Sequence, residues 1–169
     1  MKLATAIVFS LVSQLATAQS ADRFETAVTG SWTGTLEYRD YRSDRRVTLP
    51  TKLVVEAVGP GQLTFAYTYD DGPGKLVTSR ERITIDRARS TYRIQNGDGT
   101  YDATFDVSGL GSFAAASPVI VLSGTGDENG APVDLRIRLT VHASSLTMLR
   151  ESRTAGGEWL FRNQYELTR

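Results

Sequence analysis

The sequence predicts an all-β chain: an antiparallel up-and-down β-barrel of about 9–10 strands behind a short N-terminal helix. Three observations lead there. Beyond Gly30, apolar residues recur at every second position through most of the chain, the period of strands with one buried and one wet face. Turn chemistry parts the runs: Gly59-Pro60-Gly61, Asp70-Asp71-Gly72-Pro73-Gly74, Asn96-Gly97-Asp98-Gly99, Asp127-Glu128-Asn129-Gly130 and Ala155-Gly156-Gly157. Gly and Asn tolerate the positive φ that tight turns need. The connections are too short for crossover helices, so neighbouring strands pair as antiparallel hairpins. A meander of that many hairpins buries its edges by closing on itself. The alternative is a two-sheet sandwich, whose interior side chains would fill.

In chain order, Met1-Lys2 is a short positive start, Leu3 to Ala16 is uncharged and mostly apolar, and Ala16-Thr17-Ala18 is small-x-small. This pattern predicts a secretory signal peptide over residues 1–18, cleaved near Ala18. The apolar run is shorter than the roughly 20 residues that span a bilayer. Residues 19–169 then form a single barrel domain, soluble and exported to the periplasm or the medium. Ala21 to Thr29 suits a short helix, with Phe24, Ala27 and Val28 on one face and Gly30 as its stop.

The strands follow. Trp32, Gly34, Leu36 and Tyr38 share one face. Val47 to Ala57, Leu63 to Tyr69 and Val77 to Ile85 alternate on odd positions, placing Ser79 and Glu81 on the inner face. Ser90 to Asn96, Tyr101 to Val107 and the apolar run Val119 to Leu122 come next, then Val133 to Val141. A two-residue turn at Gly156-Gly157 sets Arg150 opposite Asn163, Met148 opposite Tyr165 and Leu146 opposite Leu167. The same register puts Trp159 and Phe161 inside and pairs Glu151 with Arg162 on the wet face.

Composition narrows function. Nineteen basic and nineteen acidic side chains give zero formal net charge without a basic block, which argues against a nucleic-acid binder. The absence of Cys excludes disulfides, Cys-ligated zinc, iron–sulfur clusters and thiol catalysis. One His, His142, cannot build a multi-His metal site, and the alternation points it away from the core. No nucleophile elbow, phosphate-cradling loop or dinucleotide fingerprint is present. No metal or cofactor is expected.

The short helix followed by Gly30-Ser31-Trp32 at the start of the first strand resembles the Gly-x-Trp signature of the lipocalin/calycin superfamily. The resemblance implies a lipocalin-like barrel with an interior binding cavity. It also implies that the Trp closes one barrel end beneath an Arg from the end of the last strand. Here that pair would be Trp32 and Arg169, with Arg162 the other candidate. The chain departs from secreted lipocalins in lacking a disulfide and a Thr-Asp-Tyr element.

A fold does not name a ligand. The polar residues on the inner face are the candidates: Tyr38, Asp40, Tyr67, Tyr69, Glu81, Arg150 and Asn163. Read as a site, they make aromatic walls with Arg150 and Glu81 orienting the head of a small hydrophobic or amphipathic molecule. Read as packing, they form a self-satisfied polar plug or reach water at the barrel mouth. An enzyme using the same cavity and a structural module with a filled core are the other readings. Tyr38 to Arg46 mixes both charge signs with aromatics, as a solvated hairpin tip does or as a partner-binding rim would. Asp70-Asp71-Gly72 and Asp98-Gly99 lack the spacing of a calcium loop.

Overall fold

The computed structural model of the protein describes residues 23–40, 43 and 45–169. The expected signal peptide, the start of the expected helix and residues 41, 42 and 44 of the first hairpin tip lie outside the described residues. Residues 23–28 form helix α1. Ten strands follow: β1 (Gly30–Arg39), β2 (Arg46–Gly59), β3 (Gln62–Asp70), β4 (Leu76–Asp86), β5 (Thr91–Asn96), β6 (Asp102–Ser108), β7 (Val119–Glu128), β8 (Ala131–Val141), β9 (Ser145–Arg153) and β10 (Leu160–Thr168). Each strand pairs antiparallel with its sequence neighbour, and β1 pairs with β10, so the barrel is closed and up-and-down.

Closure depends on Gly34 of β1. It lies opposite Leu167 of β10, and a Cβ there would stand 2.0 Å from the Glu166 carbonyl oxygen. Only a residue without a side chain permits so close an approach of the two backbones. The inner face carries the alternating apolar residues, among them Leu53, Val55, Leu63, Phe65, Ile83, Phe105, Leu122, Leu135 and Leu146.

One end of the barrel is sealed. Helix α1 lies across it and buries Phe24 and Val28 completely. Phe24 meets Phe113 edge to face at 5.4 Å, and Phe113 follows a 3-10 turn over Leu110–Ser112. Glu25 of the helix is buried, ion-paired with Arg87, and accepts a bond from the Gly61 backbone N–H. The helix is thereby tied to the β2–β3 and β4–β5 turns. Trp32 donates its indole N–H to the Val28 carbonyl at 2.8 Å. The Arg169 guanidinium lies 4.2 Å over the Trp32 ring and donates to the carbonyls of Ala27, Thr29 and Ala143. The last residue of the chain thus fastens the helix and the β8–β9 turn over the indole.

The closing hairpin differs from the expected register at one place. Arg150 does face Asn163, Met148 faces Tyr165 and Leu146 faces Leu167. A β-bulge then falls between Phe161 and Asn163, so that Phe161 pairs with Glu151 and Leu160 with Ser152. The extra residue is Arg162. Beyond a bulge the faces exchange. Arg162 therefore enters the barrel, where it pairs with Glu128 rather than with Glu151. Trp159 and Phe161 stand outside. Trp159 has the guanidinium groups of Arg136 and Arg153 against its ring at 4.2 and 4.5 Å, and Phe161 is covered by Arg46 at 3.7 Å. Glu151 is held instead by Arg136 and Arg138. Cation–π contacts on the outer wall and a buried ion pair inside replace the simple hairpin.

Candidate functional site

The mouth opposite α1 leads into a hollow of about 260 Å³ in the middle and upper part of the barrel. It is lined by the apolar side chains of Phe65, Ile83, Leu122, Ile137, Leu139 and Met148 and by the polar ones of Glu81, Asn96, Tyr101, Arg150 and Asn163, with Tyr67, Tyr92 and Tyr165 beside them. In register Phe65 lies next to Glu81 and Ile137 next to Arg150. Alternation accounts for most of this set: every second residue of β3, β4, β9 and β10 points to the axis.

Of the residues singled out in the sequence, Tyr67, Glu81, Arg150 and Asn163 meet around the hollow. Tyr69 stands beside it, stacked on Tyr67 with ring centroids 5.8 Å apart and hydrogen-bonded through its hydroxyl to that of Tyr165 at 2.9 Å. Tyr38 and Asp40 do not line it. Tyr38 is level with Asn163 on β1. The Tyr69–Tyr165 bridge joins β3 to β10, with β1 and β2 between them in the sheet, and Tyr38 has Lys75 of the β3–β4 turn as a neighbour. Asp40 sits at the hairpin tip, where Ser43 donates to its carboxylate. Trp32 and Arg169 lie at the sealed end. His142 is exposed in the β8–β9 turn, also at that end. The Asp70 and Asp98 carboxylates accept the backbone N–H groups of Gly72 and Thr100, as turn residues do.

Tyr92, Asn96, Tyr101 and Tyr165 were missing from the sequence-derived set. Tyr101 and Tyr165 lie in the inward phase of their runs. Their height along the axis, which alternation leaves open, is what brings them to the hollow.

Electrostatics sets these groups apart from the core. Burial pushes the Glu81 carboxyl above its ordinary value; the hydrogen bond from Tyr67 and the Arg150 charge pull it partly back. Tyr67 donates its hydroxyl to Glu81 at 3.3 Å. Burial also lifts the tyrosines: Tyr69 up to about 12, and Tyr67 and Tyr165 well above the ordinary phenol value. At neutral pH they are neutral hydrogen-bonding groups. Arg150 stands over the Tyr101 ring at 5.7 Å, and among the described residues no carboxylate makes an ion pair with it. The Tyr101 hydroxyl is buried without a hydrogen bond.

A second charged cluster lies at the same end of the barrel, on β7, β9 and β10. Arg162 pairs with Glu128, Arg162 Nε donates to Ser152 Oγ at 2.5 Å, and Ser152 Oγ donates to Glu128 Oε2 at 3.0 Å. Ser152 is fully buried. Each member satisfies the next.

The geometry defines a class: a closed ten-stranded antiparallel barrel, sealed at one end by a helix, with a lined hollow beneath the other. No protein-family model matches the chain, and no curated protein matches it. Among solved structures it is similar to Rv2717c from M. tuberculosis, with 18% identity and a TM-score of 0.59 over 88% of this chain and 96% of that one. At that identity the likeness concerns the fold.

Proposed function

We propose that this is an exported, lipocalin-like member of the calycin barrels that holds a small, partly apolar molecule and catalyses no reaction. The observation that carries the reading is the hollow itself, lined mostly by apolar and aromatic side chains with a few polar ones among them. A binding site has this character: apolar walls supply affinity and a few polar groups fix orientation. Its size is below the roughly 300–1,000 Å³ of drug-sized sites, so the guest is small. Export rests on the pattern of residues 1–18. The calycin assignment rests on Gly30-Ser31-Trp32 with Arg169 above the indole. The enzyme reading is weaker because the tyrosines hold their protons far above neutrality, and Glu81 alone would have to serve as base. A module with a filled core would leave no such space.

The test is native mass spectrometry of the gently purified protein, followed by thermal-shift screening of small amphipathic molecules. We expect a bound guest or a stabilising hit on the natural chain. Ile137→Trp, which fills the space from β8, should abolish it while the barrel stays folded. A folded natural chain that binds nothing, or binds equally well with Ile137→Trp, overturns the reading.

A further inference from the structure

Resting on the binding reading, the strand pairing gives the guest a door. We infer that it enters and leaves the hollow sideways, through a slot in the wall between the mouth-side halves of β6 and β7, and that Phe105 and Leu135 are the gate.

One seam of the barrel is short. β6 and β7 pair only through Asp106–Ser123, Val107–Leu122 and Ser108–Val121, whereas β7 pairs with β8 along its whole length, from Val119 to Glu128. Carried on, the register would set Phe105 opposite Gly124, Thr104 opposite Thr125, Ala103 opposite Gly126 and Asp102 opposite Asp127. None of these pairs forms. The sequence supplies the reasons. Glycines weaken a strand and offer nothing to pack, and two aspartates set opposite each other repel. Each flank is fastened to its own side instead. Asp102 of β6 is bonded to Arg93 and Gln95 of β5. Glu128 of β7 is bonded to Ser152 of β9 and Arg162 of β10. Backbone N–H and C=O groups without a partner in the sheet must meet water, and Asp102, Thr104, Thr125 and Asp127 are all exposed. Water therefore stands between the two strands.

The hollow lies behind this seam. Tyr101, directly ahead of β6, and Leu122 of β7 line it, with Ile94 and Asn96 of β5 and Ile137 of β8. Among the described residues none from β1 or β2 does. The inward positions of the slot are small: Ala103, Gly124 and Gly126. What covers them is side chain. A Cβ on Gly124 would stand 2.8 Å from Phe105 Cδ1, and one on Gly126 would stand 2.7 Å from Leu135 Cδ1. Phe105 and Leu135 are buried and lie against the bare glycine backbone. Turning them about their own bonds breaks no ladder, whereas passage through a paired seam would break strand hydrogen bonds.

The chain contains no Cys, so a staple reports on one place alone. Thr104→Cys with Thr125→Cys on the outer side of the slot is bridged by a direct disulfide or by a two-carbon bis-thiosulfonate. Thr64→Cys with Arg82→Cys, partners in the β3–β4 seam, is the control. The probe is 2-naphthol, a small neutral aromatic alcohol whose emission changes when it leaves water, followed by stopped-flow fluorescence on the full folded chain. The slot staple should slow association and dissociation by about tenfold or more and leave Kd within about twofold. Reducing the bridge should restore both rates, and the control staple should change neither. Phe105→Leu should speed both by about threefold; unchanged rates there overturn the gate. Rates that ignore the slot staple, or that the control slows equally, overturn the side door and leave the binding reading standing. Hydrogen exchange of the natural chain tests the slot without a guest. Seam-facing amides of Asp102–Phe105 and Gly124–Asp127 should exchange about a hundredfold faster than those of the β3–β4 seam. Slow exchange there overturns the slot. Fast exchange with no binding of 2-naphthol or of any screened molecule overturns the binding reading, and the door with it.

Discussion

Two arginines enter the mouth of this barrel, and their surroundings are opposite. Arg162 arrives through a β-bulge and is closed into a triangle with Glu128 and the fully buried Ser152. Arg150, on the strand beside it, stands over the Tyr101 ring and shares the hollow with Glu81, whose carboxyl its charge pulls down, without an ion pair in contact among the described residues. One arginine is thus locked in direct ionic contact, and the other faces the hollow with its carboxylate at longer range. A group in direct ionic contact specifies structure; one facing a hollow is within reach of a guest.

The contrast can be broken by mutation. The largest effect should come from Glu128→Ala, which removes the carboxylate paired with the buried Arg162: about 3–5 kcal/mol of stability lost, read from urea unfolding. Ser152→Ala leaves both ions one partner short and should cost about 1–3 kcal/mol in the same measurement. Arg150→Met should cost less than about 1.5 kcal/mol or stabilise the barrel, because no ion pair is broken and an apolar side chain of similar length replaces the charge. A loss as large as that of Glu128→Ala would mean that Arg150 is structural and the contrast false. The smallest effect concerns Glu81. Its folded-state carboxyl titrates above the ordinary value, so the folded chain binds more protons than the unfolded one between the two values. Stability therefore falls as pH rises through that window. Glu81→Gln should raise the melting temperature at pH 7 and have little effect at pH 4, below the ordinary carboxyl value. A fall at pH 7 would show that the ionised carboxylate is stabilising.

The strands and their closure were legible because a period of two survives along almost every run, and short turns leave antiparallel neighbours as the only pairing. Glu81, Arg150 and Asn163 were visible for the same reason. Arg162 was not. A single-residue bulge leaves no mark in the alternation, and it moved Arg162 inward while sending Trp159 and Phe161 to the outer wall. The limits of the hollow were also hidden. Period two says which face a residue takes, but not how high it stands nor what crosses in front of it. Tyr38 has the inward phase but does not line the hollow, whereas the Tyr69–Tyr165 bridge beside the hollow joins residues 96 positions apart.

The most direct test of an accessible hollow is amide and side-chain NMR of the isotope-labelled protein titrated with 2-naphthol. Shifts should concentrate on Tyr67, Glu81, Tyr101, Met148, Arg150 and Asn163, and pass over both the Arg162–Glu128 triangle and the helix-capped end. Perturbations confined to the outer wall, or none at saturating 2-naphthol, would contradict it.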